Sequence, residues 1–217
     1  MSQPKASNQL ALVFKLLPRA DVARAAEIEA SAYPESEAAS LETLNYRHQA
    51  VPELFLGCYL QEAAQEQEKL VAFIVSTLVN GDHLTHSSMF SHEPQGSAVC
   101  IHSVCVDPAY HRRGIASRML QSYTKHVQDL KARGHHLDTL PTLAAEMAEK
   151  EKKKENNNNN SQPSSSAHGN SFGQLDRVLL ITHKELIGLY AGAGYQLIGP
   201  SKVEHGPDLW YEMVHIL

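Results

Sequence analysis

Val99–Leu120, VCIHSVCVDPAYHRRGIASRML, constrains the fold of this chain more than any other stretch. Val99, Cys100, Ile101, Val104, Cys105 and Val106 form a short apolar run rich in β-branched residues, which predicts a central buried strand. Asp107–Pro108 ends it, because proline donates no ladder hydrogen bond and turns the chain. Beyond the turn, apolar positions 115, 116, 119, 120 and 123 recur at helical spacing. The first N–H groups of such a helix have no partner within it, and its dipole favours an anion there. Gly114 removes a side chain where a phosphate would approach the backbone. Arg112 and Arg113 add fixed positive charge suited to bidentate phosphate contact. An ordinary strand–turn–helix with solvated arginines has the same local pattern, so these residues alone leave both readings open.

The predicted strand also carries His102, whose imidazole titrates near neutral pH and is a candidate base. The same residue could equally be a hydrogen-bonded core histidine. Strand alternation puts His102, Val104 and Val106 on one face and Cys105 on the other. Cys100 and Cys105 are further candidates for a nucleophile, but burial in an apolar strand raises a thiol pKa and makes it inert.

The remaining periodicity predicts strands over 10–17, 54–61, 69–80, 98–106, 177–182, 195–200 and 208–216. Helices are predicted over 21–32, 40–48, 114–132 and 185–193. That is an α/β sandwich with a mixed sheet, and 217 residues suit one domain spanning 1–217. The stretch at about 148–174 runs through a lysine cluster, five asparagines and a serine run, a composition too polar to offset the entropy of ordering. It is expected to be a disordered surface insertion, with Leu140–Lys154 able to extend as helix.

Several classes are disfavoured. No apolar run approaches the roughly 18–20 residues that span a bilayer. The N-terminal residues lack a charged region followed by an apolar stretch and cleavage site. Cys58, Cys100 and Cys105 are too few and too strand-embedded for a disulfide framework, so a cytoplasmic location is expected. A net charge of −5 argues against nucleic-acid binding and suits a cationic small substrate. His83, His86 and His92 lack the spacing of a zinc site, so no metal is expected. No G-x-S-x-G is present to support serine nucleophile chemistry.

HSVCVDPAYHRRGIAS resembles motif A of the GCN5-related N-acetyltransferases (GNAT), whose signature is Arg/Gln-x-x-Gly-x-Gly/Ala. Other segments are similar, in order, to the arylalkylamine (serotonin) N-acetyltransferases and their fungal polyamine-acetylating relatives. These are Ala25–Tyr33, Pro52–Tyr59, Ala72–Leu78, Leu84–Pro94, Ile187–Pro200 (IGLYAGAGYQLIGP) and Leu209–Met213 (LWYEM). The resemblance covers the chain except about 40 residues around 135–174. His111 stands where arginine or glutamine usually opens the phosphate loop, and Cys100 replaces the second histidine of the vertebrate enzymes. The proline of the vertebrate substrate loop has no counterpart near Ala38–Ser40.

The resemblance implies the GNAT acyltransferase fold: a mixed, mostly antiparallel sheet with splayed central parallel strands, flanked by helices. Acetyl-CoA would lie where the strand at 98–106 parts from that at 177–182. Val104, Cys105 and Val106 would pair with its pantetheine arm, and Arg112, Arg113, Gly114, Ile115, Ala116 and Ser117 would cradle its pyrophosphate. His102 would be the base, directly or through water, and Tyr190 the acid that protonates the thiolate. The backbone N–H near Val104 would polarise the carbonyl. Tyr33 and Trp210 would wall the amine pocket, bordered by Glu35, Glu37, Glu204 and Asp208. The expected activity is direct acetyl transfer to a polyamine or arylalkylamine in a ternary complex. An acyl-CoA-binding sensor and a protein N-terminal or lysine acetyltransferase are the alternatives. A monomer is expected. No regulation of the 14-3-3 type is expected, for want of an arginine-rich Ser/Thr motif near the start and a tail after Leu217.

Overall fold

The computed structural model describes residues 11–61, 68–138, 170–204 and 208–217. Strands β1 (Leu12–Leu16), β2 (Phe55–Leu60), β3 (Lys69–Val79), β4 (Ala98–Val106), β5 (Arg177–Thr182), β6 (Gln196–Pro200) and β7 (Tyr211–Ile216) form one sheet in the order β1-β2-β3-β4-β5-β7-β6. Every neighbouring pair is antiparallel except β4 and β5. This is the GNAT fold expected from the sequence.

Among the described residues, two helices cover each face. On one side, α1 (Val22–Ala32) and α2 (Leu41–Ala50) bury Val22, Ala25, Ile28 and Leu44 against Phe55, Phe73 and Val75. Ser40 caps α2 by accepting from the Thr43 N–H at 3.1 Å, which meets one of the helix's orphan donors. On the other side lie α3 (Ile115–Asp138) and α4 (Ile187–Gly192). Ile115, Met119, Leu120, Tyr123 and Val127 of α3 recur at helical spacing and pack on Ile74, Leu78, Val99 and Ile101. Tyr123 is fully buried and donates to Ser76 Oγ at 2.6 Å, so its phenol does not cost an unmet hydrogen bond. Helix α3 runs beyond the predicted end at 132.

Two departures from simple strand geometry shape the middle of the sheet. First, β4 and β5 pair only from Ala98↔Arg177 to Ile101↔Leu180, although β4 continues to Val106 and β5 to Thr182. The strands therefore splay, and the outer backbone of β4 has no strand partner on that side. Second, the register against β3 steps from Val75↔Ser103 to Ser76↔Ile101, which leaves His102 as the extra residue of a β-bulge.

The bulge reverses the pleat. Before it, Val99 and Ile101 face α3, while Ala98 and Cys100 face the opposite side. After it, Val104 and Val106 face α3, while Ser103 and Cys105 bond Glu29 of α1. His102 sides with Cys100 and Ser103, hydrogen-bonded to Thr77. Placing His102 on the face of Val104 and Val106 was therefore incorrect, because strict alternation fails across a bulge. Cys105 does lie on the face opposite Val104.

Of the stretch expected to leave the core at about 148–174, and of Leu140–Lys154, residues 139–169 lie outside the described residues. Residues 170–174 pack on the domain instead. Asn170 donates to the Ala50 carbonyl at 3.0 Å and accepts from His92, and Phe172 joins the α3-side core. A Cβ at Gly134 of α3 would stand 2.3 Å from the Gly173 nitrogen, so glycine there lets the returning chain pass.

Candidate active site

Two cavities meet at the splay. One, of about 390 Å³, is lined on the α3 side by Val104, Val106, Tyr110, His111, Arg112, Gly114–Ser117, Leu186, Leu189 and Tyr190. The other, of about 280 Å³, lies toward α1 and α2 and contains Glu29, Glu37, Arg47, His102, Tyr190 and Trp210. Tyr33, Val104 and Tyr190 line both.

The first cavity has the features of a phosphate-and-amide site. Asp107 accepts from the Ala109 N–H at 3.0 Å and shapes the turn that Pro108 begins. His111 Nε2 bonds the Val106 carbonyl at 2.8 Å and ties the loop to the strand end. Arg112 and Gly114 both take positive φ, 60° and 72°, which winds the chain into the start of α3. A Cβ at Gly114 would meet no atom within 4 Å, so the glycine serves the backbone conformation and keeps the cavity wall low. The first N–H groups of a long helix then face the cavity without helical partners. The unpaired edge of outer β4 offers the amide groups that an extended pantetheine chain would need. These residues fit acetyl-CoA as co-substrate. Cys105 and Arg113 of the expected set do not line the cavity. Cys105 Sγ points the other way to Glu29 at 2.8 Å, and the Arg113 guanidinium lies over the Tyr110 ring, 5.4 Å from its centroid.

Around the second cavity, Glu29 is the main organiser. It is 1% exposed, and its Oε1 accepts from the Ala39 N–H at 3.0 Å and Ser103 Oγ at 2.8 Å. His102 Nε2 lies 2.8 Å from Thr77 Oγ1, which is 3.3 Å from the Ser91 carbonyl. That carbonyl can only accept, so both bonds form together when Thr77 donates to Ser91 and receives Nε2–H. The lone pair then sits on Nδ1, 3.9 Å from Cys100 Sγ. Burial, aided by the nearby Arg47 charge, holds the His102 imidazole well below its usual range, so it is neutral at pH 7. Burial pushes the Cys100 thiol up to about 12 and raises Cys105 well above the normal thiol value. Both thiols stay protonated.

Tyr190 enters from the opposite face, on α4, where it packs edge-on to Tyr195. Burial raises its phenol, so it remains a proton donor; Thr182 hydrogen-bonds it. His102 and Tyr190 thus flank the splay from its two sides. The Tyr33 hydroxyl is bonded to the Val104 backbone between the cavities, and its phenol is raised mainly by burial. Trp210 is 7% exposed and stacks on His183 with ring centroids 4.0 Å apart.

Glu37 reaches His183 Nε2 at 3.1 Å, and Glu37, His183 and Asp208 hold potential donor atoms within 4.8 Å of one another. Three other histidines take separate structural roles. His92 Nδ1 accepts from the Leu78 N–H at 3.2 Å, His83 meets Glu212 at 3.2 Å, and His86 packs on Phe90.

Sequence reading missed Glu29, Arg47, Thr77 and His183. Glu29 and Arg47 share their helices with the exposed Glu27 and Glu42, and nothing local marks them as different. Thr77 follows Ser76 within an otherwise apolar run, where this pair of hydroxyls was the available signal.

The Acetyltransferase (GNAT) family profile matches residues 22–148. Serotonin N-acetyltransferase from Mesocricetus auratus is 24% identical over 162 residues, which are 75% of this chain and 55% of that protein. The match therefore spans about half the length of that relative. Among solved structures, a GphF GNAT-like decarboxylase in complex with isobutyryl-CoA superposes with a TM-score of 0.61 at 13% identity, covering 94% of this chain and 98% of that one. The loading GNATL domain of CurA from Lyngbya majuscula gives 0.60 at 11% identity, covering 94% and 97%. At such identities these two likenesses speak for the fold alone.

Proposed function

Because this chain belongs to the acetyltransferase (GNAT) family, we propose that it transfers an acetyl group from acetyl-CoA to a primary amine, by direct attack in a ternary complex. The observation that carries this reading is the pair of cavities joined at Val104, with a neutral imidazole on one side and a protonated phenol on the other. The serotonin N-acetyltransferase likeness supports it. Acetyl-CoA supplies an activated thioester. Val104, Val106, Arg112 and Gly114–Ser117 would hold it.

A primary amine with a pKa near ~10 arrives mostly protonated and must lose a proton to attack. The ammonium gives that first proton to solvent, and His102 takes the second, released from the amine nitrogen as it attacks, at Nδ1, directly or through water. A weakly basic imidazole suits this step, because an amine nitrogen becomes strongly acidic as its C–N bond forms. Thr77 fixes the tautomer, leaving Nδ1 available. Tyr190 donates its phenolic proton to the departing thiolate. The Val104 N–H is a candidate donor to the developing oxyanion, in exchange for its bond to Tyr33.

The thiols take no covalent part, since both strand cysteines beside the site are held protonated. The resemblance in sequence points to a small acceptor, an arylalkylamine or a polyamine, bordered by Tyr33 and Trp210. Thiol release from acetyl-CoA with tryptamine, phenethylamine, spermidine and a peptide panel tests the reading. Turnover of small amines above peptides is expected. Tight coenzyme A binding without turnover of any amine would make the chain a sensor instead.

A further inference from the structure

Arg47 stands in the last turn of α2, in a place where a buried cation is unexpected. It is 8% exposed and lines both the 280 Å³ cavity and an adjoining one of about 270 Å³ that opens past Glu42, Tyr46 and Ser91. Its hydrogen bond among the described residues is a long one, to the Met89 carbonyl at 3.4 Å. No carboxylate there forms an ion pair with it. A guanidinium carries five N–H donors in a rigid fork, so most of them stay available toward the cavity. A buried charge with so few partners is costly unless an anion completes it.

The rest of the lining is arranged around that charge. Glu29 is an opposite charge that acts on Arg47, but its oxygens are already engaged by Ala39, Ser103 and Cys105. Glu37, bonded to His183, lies on the same cavity with the Trp210 face. The cavity lining therefore carries both charges, carboxylates and an aromatic face together with a guanidinium fork.

We infer that Arg47 binds a carboxylate of the acceptor, so that the acceptor is an amine that also carries a carboxylate, an amino-acid-like zwitterion. This inference rests on the acetyl-transfer reading of the same site. A polyamine or a plain arylalkylamine would bring a cation toward a desolvated guanidinium and leave its donors unmet. A zwitterion answers both charges of the lining, and the planar fork matches a carboxylate in two parallel bonds.

Matched acceptors that differ only by the carboxylate test this: phenylalanine against phenethylamine, tryptophan against tryptamine, and ornithine against putrescine. The wild type is expected to favour the carboxylated member of each pair in kcat/KM. Arg47→Gln should reduce that ratio about 10- to 100-fold, with Arg47→Lys intermediate because it keeps charge without the fork. A ratio is insensitive to the folded fraction of a variant. If Arg47→Gln does not fold, a reduced ratio in Arg47→Lys supports the assignment and an unchanged one overturns it. Preference of the wild type for the decarboxylated amines, or an unchanged ratio in Arg47→Gln, would also overturn it. Trp210 is the only tryptophan, so its fluorescence reports cavity binding without turnover. If no amine is acetylated, the transfer reading fails. Saturable binding of N-acetylphenylalanine that weakens at least tenfold in Arg47→Gln would then still support the carboxylate site, and its absence would end both.

Discussion

Replacing Glu29 by alanine should unfold the site from its base. Its carboxylate accepts from the Ala39 N–H, Ser103 Oγ and Cys105 Sγ at 2.8–3.0 Å, and it supplies an opposite charge that acts on Arg47. Hydrogen bonds to a buried charge contribute about 1.5–3 kcal/mol each, and the thiol bond is weaker. Losing the two stronger ones and leaving their donors in a dry site costs roughly 3–6 kcal/mol. That is a large share of the ~5–15 kcal/mol that holds a domain together. A loss of ~4 kcal/mol lowers Tm by about 8–16 °C for a domain of this size. Glu29→Gln keeps one oxygen for Ala39 and Ser103 and should cost less. The assay is urea and thermal unfolding of both variants. Equal losses in the two would assign the effect to the charge beside Arg47 rather than to the hydrogen bonds. A loss below ~1.5 kcal/mol in Glu29→Ala would refute the reasoning altogether.

Tyr190→Phe should lower kcat about 10²- to 10⁴-fold with coenzyme A affinity nearly unchanged; a lowered Tm with normal kcat would instead make the phenol structural. Native protein should resist thiol reagents at pH 8, because Cys58 is pushed up to about 11 and Cys100 to about 12 by burial. No acetyl group should remain on the chain after denaturing quench with labelled acetyl-CoA. His102 titrates below its unfolded value, so below pH 6.5 the unfolded chain binds a proton that the folded chain refuses. Stability is thus lost as pH falls from about 6.5 toward the folded pKa, by at most ~1.4 kcal/mol per pH unit. His102→Gln should flatten that acid-side decline relative to wild type; parallel curves would show that the imidazole is not buried in this way.

Sequence periodicity was enough for the elements, since β-branched runs and the spacing of Ile115, Met119 and Tyr123 are local properties. The turn into α3 was also legible, because Gly114 and the Asp107–Pro108 turn act within a few residues. The side on which His102 lies was not. A bulge is set by pairing with β3, and nothing in the sequence of β4 announces it. Glu29 and Arg47 were hidden for a related reason. Their burial depends on what folds over them, namely Ser103 and Cys105 from β4 and Met89 from the loop before it. Asn170 read as part of a polar arm, yet its amide meets a carbonyl and an imidazole on distant parts of the chain.

Tyr33, Val104 and Tyr190 belong to both cavities, and on the proposed reading this shared wall would set a length limit on the acyl group. An acetyl group would end at the wall. Each further methylene would extend into the volume where the amine would sit. A longer thioester would then compete with its own acceptor, and discrimination between acyl donors would be felt as weakened amine binding. Enlarging the wall at Val104 or Tyr33 would trade that ruler for a broader choice of acyl chains.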